Sequence, residues 1–218
     1  MQRTTAETST RSPAKIDRAQ WDAADFEARR SLIVDAGVDL LHERGHEAVT
    51  MRRVAERVGV GAMTLYTYVD GQDELRRAMV RRGFEMLGSG CECAGEAVLQ
   101  ETGSWIGGAM NYLRFAIERP RLYELMFNTD LPPQDADLLE AGFQPLLSKV
   151  QEQLGLLGWP QDDLAREARR RAGRYWVGLH GLAMIATSGR LSVLEGELEQ
   201  VLGDLLEHVA PTRRPADA

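Results

Sequence analysis

The chain has 218 residues, of which 44% are hydrophobic and 27% are charged, and its formal net charge is -7. This size and composition are typical of a globular protein with one large or two modest domains. No run of about 18 apolar residues is present, which excludes an ordinary transmembrane helix, and the polar N-terminus lacks the apolar segment of a secretory signal. The two cysteines, Cys91 and Cys93, are spaced poorly for a framework disulfide and favour a reducing, cytoplasmic compartment.

The negative charge is distributed unevenly along the chain. Residues 1–82 contain 14 basic and 13 acidic side chains, whereas residues 83–218 contain 12 basic and 20 acidic ones. An acidic C-terminal part repels DNA, so any contact with nucleic acid is expected in the N-terminal part alone.

The chain begins with residues 1–26, which are polar and carry scattered basic side chains. This composition predicts a flexible N-terminal arm, with a possible helix near Trp21–Phe26. The arm could touch DNA phosphates or the minor groove, or it could be a solvated tail. Apolar residues at helical spacing then predict a helix over 27–44, which Gly45 ends.

Residues 50–75 predict a helix-turn-helix followed by a further helix. Thr50 suits the N-cap of a short helix over 51–58, Gly59 breaks that helix, and another short helix follows over about 61–66. Asp70 begins a fourth helix, which we expect to end near Gly88. The exposed face of the 61–66 helix carries Thr and Tyr in place of apolar residues, which is typical of a helix that contacts a DNA duplex.

The C-terminal part predicts further helices and no strand. Four glycines between 88 and 103 predict a break, after which helices are expected over 105–118, 122–127, 134–154 and 162–187. A capping box at 192–195 begins a last helix to about 209, and 211–218 is a tail. The predicted fold class is all-α, with an N-terminal three-helix helix-turn-helix domain over 27–87 and a larger C-terminal helical domain over 88–210.

The order of residues from Gly45 to Leu75 resembles the DNA-binding domain of the TetR family of transcriptional regulators. The resemblance depends on spacing and order together, because none of the matching residues is diagnostic alone. These residues are Gly45, Thr50, Val54-Ala55, Val58-Gly59-Val60, Thr64-Leu65-Tyr66, Tyr68 and Asp73-Glu74-Leu75.

The resemblance and the side-chain chemistry together predict a set of DNA contacts. Leu65 is expected to point inward and fix the recognition helix, while Thr64 and Thr67 bond base edges. Tyr66 and Tyr68 offer hydroxyls to phosphates, although both could instead be core aromatics of a small three-helix unit. The full predicted set is Thr50, Met51, Arg52, Gly61, Ala62, Met63, Thr64, Tyr66, Thr67, Tyr68 and Gln72.

The sequence departs from the family pattern at four positions. Gly61 replaces the usual Ser or Thr cap of the recognition helix, and His46 and Val69 stand where aromatic residues are common. Gln72 stands where a Lys usually meets a phosphate. Each missing phosphate contact flattens the log–log salt dependence of DNA binding by about 0.9, so we expect a modest salt dependence.

The C-terminal part also resembles this family. Residues 112–127 are similar to a segment of its regulatory domains, and Trp176-x-x-x-His180-Gly181 is similar to a signature of one C-terminal subfamily. The resemblance implies that helices 162–187 and 192–209 pair with a second copy through Gly178, Gly181, Leu198, Val201 and Leu205.

An apolar pocket for a small-molecule effector is also expected in this part. Each of its predicted residues has an ordinary core role as the alternative, and His180 could be a satisfied interface histidine. The predicted pocket residues are Trp105, Met110, Tyr112, Leu113, Tyr123, Phe127, Phe143, Trp176 and His180.

These features predict a homodimeric transcriptional regulator, a repressor that a small molecule releases from a palindromic operator. A two-fold dimer suits the short recognition helix, because two half-sites about 34–36 Å apart specify enough sequence. The alternative is a small-molecule-binding or scaffold protein of the same fold that has lost DNA binding. No Ser-His-Asp order, metal-ligand spacing or phosphate loop predicts an enzyme, and we expect no cofactor, no metal and no membrane contact.

Overall fold

A computed structural model describes residues 18–98, 105–127, 136–190 and 198–209. Within these ranges every regular element is a helix, which confirms the all-α prediction. The chain divides into two compact units, Met1–Leu75 and Arg76–Ala218. None of the helices in the described ranges is long and apolar enough to cross a membrane.

The first unit contains α1 (Arg18–Ala23), α2 (Phe26–Arg44), a 3-10 turn (His46–Ala48), α3 (Met51–Val58), α4 (Ala62–Leu65) and the start of α5 (Gly71–Val98). Helix α1 lies within the segment for which a flexible arm was predicted. Trp21 on this helix is buried, with 5% of its surface exposed. Burial of an indole ring offsets the entropy cost of ordering a short segment. Residues 18–23 are therefore helical and not a flexible arm, and this helix overlaps the possible helix predicted near Trp21–Phe26. Residues 1–17 lie outside the described residues.

The ends of the short helices follow the predicted capping pattern. Thr50 Oγ1 accepts a hydrogen bond from the Arg53 amide at 3.3 Å and so caps α3. Gly59 ends α3 with φ of 83°, a left-handed conformation that favours glycine. Gly61, at the N-cap of α4, makes no side-chain capping bond, as its missing side chain predicts.

The second unit contains the rest of α5, α6 (Trp105–Glu118), α7 (Pro120–Phe127), α8 (Ala136–Leu156), α9 (Gln161–Thr187) and α10 (Leu198–Val209). The predicted end of the fourth helix near Gly88 is wrong, because α5 continues to Val98. A glycine within a helix costs only about 1 kcal/mol, so glycines alone need not end one. The predicted capping box at 192–195 and the tail at 211–218 lie outside the described residues.

Helices α8 and α9 share a core in the second unit. Its buried members are Val150 and Leu154 from α8 and Leu164, Ala168 and Ala172 from α9. The two alanines present little bulk, which lets α9 lie close to the larger side chains of α8.

Candidate nucleic-acid interface and aromatic cluster

The helix-turn-helix is held together by a small core and by turn hydrogen bonds. Leu65 of α4 is fully buried, as predicted, and Val54 and Val58 of α3 are also buried. After Gly59 the chain turns, and the Val60 amide donates to the Ala55 carbonyl at 3.0 Å. The four-residue helix α4 is too short to be stable alone, so this packing determines its position.

The outer face of α4 presents most of the residues predicted to contact bases. Met63 is 80% exposed and Tyr66 is 53% exposed, and Ala62 and Thr67 are also exposed. Thr64 is half-buried and Gly61 is open to solvent. Exposed apolar and aromatic side chains of this size on one short helix are consistent with a surface that is covered by another molecule.

The N-terminus of α3 presents a second group of predicted residues. Thr50 and Arg52 are exposed, and Arg52 forms an exposed ion pair with Glu56 at 3.5 Å. Met51 is only 9% exposed. Its thioether therefore belongs to the core, and its backbone amide, in the first turn of α3, is the group that could meet a phosphate.

Gln72 and Tyr68 have structural partners that sequence reasoning did not predict. The Gln72 side-chain amide donates to the Val49 carbonyl, which ties the first turn of α5 to the residue before Thr50. Tyr68 is half-buried and its ring packs against Trp21 and Phe26. Tyr66 is thus the exposed tyrosine of the two. Tyr68 is partly a core aromatic, the alternative that its sequence position had left open.

An arginine network in the first unit was also missed. Arg30 pairs with Glu74, and its Nε donates to the Tyr68 carbonyl at 3.3 Å. The other carboxylate oxygen of Glu74 accepts from the Asp70 amide at 3.2 Å. This network joins α2 to the start of α5 across more than 40 residues of sequence, a separation at which local patterns give no signal.

In the second unit, aromatic side chains from five helices form a cluster around His180. The His180 ring centroid lies 4.8 Å from that of Phe127, 5.5 Å from that of Trp176 and 5.6 Å from that of Tyr123. The other members are Phe84, Tyr112 and Phe143, which contact Phe127, Tyr123 and Trp176 respectively.

The cluster therefore brings together six of the nine predicted pocket residues. Sequence reasoning missed Phe84, which packs where a Cβ at Gly142 would stand. Leu113 is fully buried and Met110 is half-buried, both on α6. The Trp105 side chain lies outside the described residues.

Three polar groups within the cluster form a hydrogen-bonded chain. Tyr112 Oη lies 2.9 Å from Tyr123 Oη, which in turn lies 2.6 Å from Nδ1 of His180. Burial raises the pKa of Tyr123 far above its ordinary value, and Tyr112 adds to this effect. Burial also lowers the pKa of His180. Nδ1 of the neutral imidazole accepts from Tyr123 or donates to it according to the tautomer, and Tyr123 correspondingly accepts from Tyr112 or donates to it.

The residues predicted to form a dimer interface divide into two groups. Gly178 lies against α10 of its own chain, because a Cβ there would stand 2.5 Å from Cδ1 of Leu205. Its small size is therefore needed within one chain. Gly181 is exposed and lies on the same α9 face as Val177, 65% exposed, and Met184, 37% exposed. Val201 is half-buried, and the Leu198 side chain lies outside the described residues.

No group of three or more His, Cys, Asp or Glu side chains capable of holding a metal ion occurs among the residues that the structure describes. Cys91 and Cys93 lie on α5. The buried carboxylate of Glu167 is satisfied, since it accepts from Arg170 and Arg171 at 2.6–2.8 Å. It is therefore a structural ion pair.

Two family models match this chain. Residues 33–79 match the model for bacterial regulatory proteins of the tetR family, and residues 105–209 match the tetracyclin repressor-like C-terminal domain. Together they cover most of the chain. The protein belongs to the TetR family. The family consists of bacterial regulatory proteins, and this membership confirms the prediction that the chain is not an enzyme.

Curated relatives agree with this family assignment. The HTH-type transcriptional repressor DrrR1 of Streptomyces coeruleorubidus is 44% identical over 50 residues, which are 23% of this chain and 18% of that protein. The chain thus matches less than a fifth of the DrrR1 sequence. An uncharacterized HTH-type transcriptional regulator of Mycobacterium tuberculosis is 27% identical over 187 residues, which are 85% of this chain and 86% of that protein.

Solved structures show the same fold at low sequence identity. A tetR-family transcriptional regulator from Streptomyces coelicolor has a TM-score of 0.63 and 17% identity, covering 84% of this chain and 81% of that one. The multidrug binding protein EbrR, complexed with imidazole, has a TM-score of 0.58 and 17% identity, covering 87% of this chain and 97% of that one.

Proposed function

We propose that this TetR-family protein is a homodimeric repressor that binds a palindromic operator and is released from it by a small-molecule effector. The observation that carries the DNA-binding part is the outer face of α4. It holds Met63 and Tyr66 exposed beside Thr67 on a helix that Leu65 anchors to the core.

In this proposal the outer face of α4 enters the major groove. Thr64 and Thr67 bond base edges, and the Met63 and Ala62 methyl groups contact thymine methyls. Thr50, Arg52, Tyr66 and Tyr68 meet phosphates, with the backbone amides of Met51 and Gly61. Gln72 donates to the Val49 carbonyl and so orients the N-terminus of α3. Its contribution to affinity is indirect, and the absence of a cation there weakens the salt dependence.

The proposed dimer forms through the exposed strip of α9 that contains Val177, Gly181 and Met184. These residues are spaced by four and three positions, so they lie on one side of the helix. Val177 is 65% exposed and Met184 is 37% exposed, so this strip presents apolar side chains that a partner helix can cover. Gly181 has open space around it, which allows a partner helix to approach closely. The proposed interface also includes Val201 and Leu198 of α10, as the resemblance to the family implies.

The proposed effector site is the aromatic cluster around His180. Its rings present flat apolar surfaces, and the hydroxyls of Tyr112 and Tyr123 with the imidazole supply hydrogen-bonding groups. A protein of the same fold is described as multidrug-binding. The effector acts on DNA affinity only if it binds the two states of the dimer with different affinity.

Two measurements test the dimer and effector parts. Sedimentation equilibrium is expected to give a dimer for the wild type and a shift toward monomer for Val177→Glu, which buries a charge in the interface. A compound from a metabolite library is expected to release the wild-type protein from its selected operator DNA. Trp176→Ala is expected to lose or weaken this release. A wild type that sediments as a monomer while bound to DNA would contradict the homodimer.

A DNA-binding regulator acts at the chromosome, so we place the protein in the cytoplasm.

A protein of the same fold without DNA binding remains the second candidate. Gly61 and Gln72 favour it, because the first lacks a capping side chain and the second lacks a positive charge. Selection of genomic fragments separates the two candidates, since enrichment of one two-fold motif rejects the second.

A further inference from the structure

Tyr68 is held by contacts on several sides. Its ring centroid lies 5.6 Å from that of Trp21 in an edge-on arrangement and 5.0 Å from that of Phe26. Its hydroxyl accepts a hydrogen bond from Nη1 of Arg29 at 3.2 Å. Its carbonyl accepts from Arg30. A tyrosine with this many contacts has a fixed hydroxyl position, in contrast to the 53% exposed Tyr66 nearby.

Arg29 connects this tyrosine to helix α1. Its Nε donates to the Trp21 carbonyl at 3.1 Å and its Nη2 donates to the Asp22 carbonyl at 3.4 Å. Its guanidinium carbon also lies 5.5 Å from the centroid of the Trp21 ring. The planar guanidinium thus binds the last carbonyls of α1 and the Tyr68 hydroxyl at once, which a lysine cannot do.

The direction of the Arg29 bond determines what the Tyr68 hydroxyl can offer. Arginine only donates, so the phenol oxygen accepts and its own proton remains to donate. A donor group on the oxygen also polarises the O–H bond and strengthens it as a donor. Phosphate oxygens only accept hydrogen bonds. The remaining proton of the Tyr68 hydroxyl can therefore be donated to a DNA phosphate, but not to a group that only donates.

We infer that α1, with Trp21 and Arg29 as positioning residues, is a working part of the DNA-binding module and fixes the Tyr68 hydroxyl as a phosphate donor. Helix α1 precedes the segment that matches the tetR-family model, which begins at residue 33. This inference rests on the proposed contact between Tyr68 and DNA. It assigns a function to a buried tryptophan that would otherwise be read as core.

A double-mutant cycle tests the inference with a fluorescein-labelled 40-bp duplex of mixed sequence, because a phosphate contact does not depend on base sequence. Tyr68→Phe and Trp21→Ala are each expected to weaken binding about fivefold, the usual effect of one lost hydrogen bond. In the Tyr68→Phe background, Trp21→Ala is expected to have little further effect. Trp21→Phe keeps an aromatic edge and is expected to restore most of the affinity.

A salt titration separates positioning from loss of structure. Tyr68 and Trp21 are uncharged, so the log–log salt slope is expected to stay at the wild-type value while affinity falls. Arg29→Lys keeps the charge and loses the planar fork, so it is expected to behave like Trp21→Ala. Gln20→Ala, the exposed neighbour on α1, is the matched control and is expected to bind as the wild type does. Thermal melts followed by circular dichroism give the unfolding midpoint of each variant, and the binding assay is run below the lowest of these temperatures.

The outcomes distinguish two failures. A wild type that binds no duplex even at low salt contradicts the DNA-binding proposal itself. A wild type that binds, with Trp21→Ala and Arg29→Lys equal to it or fully additive with Tyr68→Phe, overturns the positioning role of α1. If Trp21→Ala does not fold, the same cycle with Arg29→Lys decides between these results.

Discussion

Replacing Gly61 with serine is expected to stabilise the recognition helix. Gly61 has φ of -70° and ψ of 145°, an extended conformation that any residue adopts and that resembles Thr50 at the N-cap of α3. A Cβ at Gly61 would have Thr64 Oγ1 as its nearest neighbour at 3.8 Å, which is an ordinary contact. The backbone therefore accepts the substitution without strain.

The magnitude follows from two effects. Serine exceeds glycine as an N-cap by a few tenths of a kcal/mol, and removing a glycine restricts the unfolded chain by about 0.4–1 kcal/mol. The local free energy of unfolding is thus expected to rise by about 0.5–1.5 kcal/mol. Amide hydrogen exchange in peptides covering residues 58–70 measures this stability directly and is expected to slow by about 2- to 10-fold.

Gly59→Ser is the matched control for Gly61→Ser. A Cβ at Gly59 would meet nothing within 4 Å, but the φ of Gly59 is 83°. The left-handed conformation costs about 1–2 kcal/mol for a residue with a side chain, so exchange in the same peptides is expected to speed up. Faster exchange in Gly61→Ser, or the same sign of change in both variants, would refute the argument that backbone conformation separates the two glycines.

Further predictions concern the second unit. Gly178→Ala is expected to destabilise the packing of α9 on α10 by about 1–3 kcal/mol, because Leu205 must move away from a Cβ that would stand at 2.5 Å. Thermal melts measure this effect. Gly173→Ala is the control and is expected to cost little, because its Cβ would meet nothing within 4 Å. Burial lowers the pKa of His180 below its unfolded value near 6.5, so the unfolded chain binds the proton more readily. The contribution of His180 to the free energy of unfolding is then fully present above about pH 6.5. It falls as the pH drops through that value toward the pKa of the folded state. Urea titrations at several pH values are expected to show this slope, and His180→Gln is expected to flatten it; an unchanged slope would contradict the assignment.

The order and type of the helices could be predicted because the signals are local. Apolar spacing, the Thr50 cap and the break at Gly59 each depend on neighbours within a few residues, and the structure confirms them. Leu65 was placed in the core by the same reasoning. The length of α5 was not predicted, because a glycine weakens a helix by an amount that the surrounding structure can override.

The contacts that position the candidate DNA-binding residues could not be predicted from local patterns. Tyr68 bonds Arg29, which lies 39 positions earlier in the chain. The polar neighbours of Trp21 predict a flexible arm with only a possible helix there, whereas the burial of Trp21 depends on the ring of Tyr68, which lies far along the sequence. Most members of the aromatic cluster could be predicted from the sequence. The position of Phe84 against Gly142 could not, because it depends on how α5 and α8 pack in the fold.

The most direct test of the central claim is selection of genomic DNA fragments by the purified wild-type chain, beside a variant in which Thr64 and Thr67 are alanine and Tyr66 is phenylalanine. The wild type is expected to enrich one motif with two-fold symmetry and half-sites about one helical turn or a multiple of it apart. The variant is expected to lose the enrichment and keep its helical circular dichroism spectrum. Equal enrichment by both proteins, or no enriched motif with the wild type, would contradict the claim that the outer face of α4 reads operator DNA.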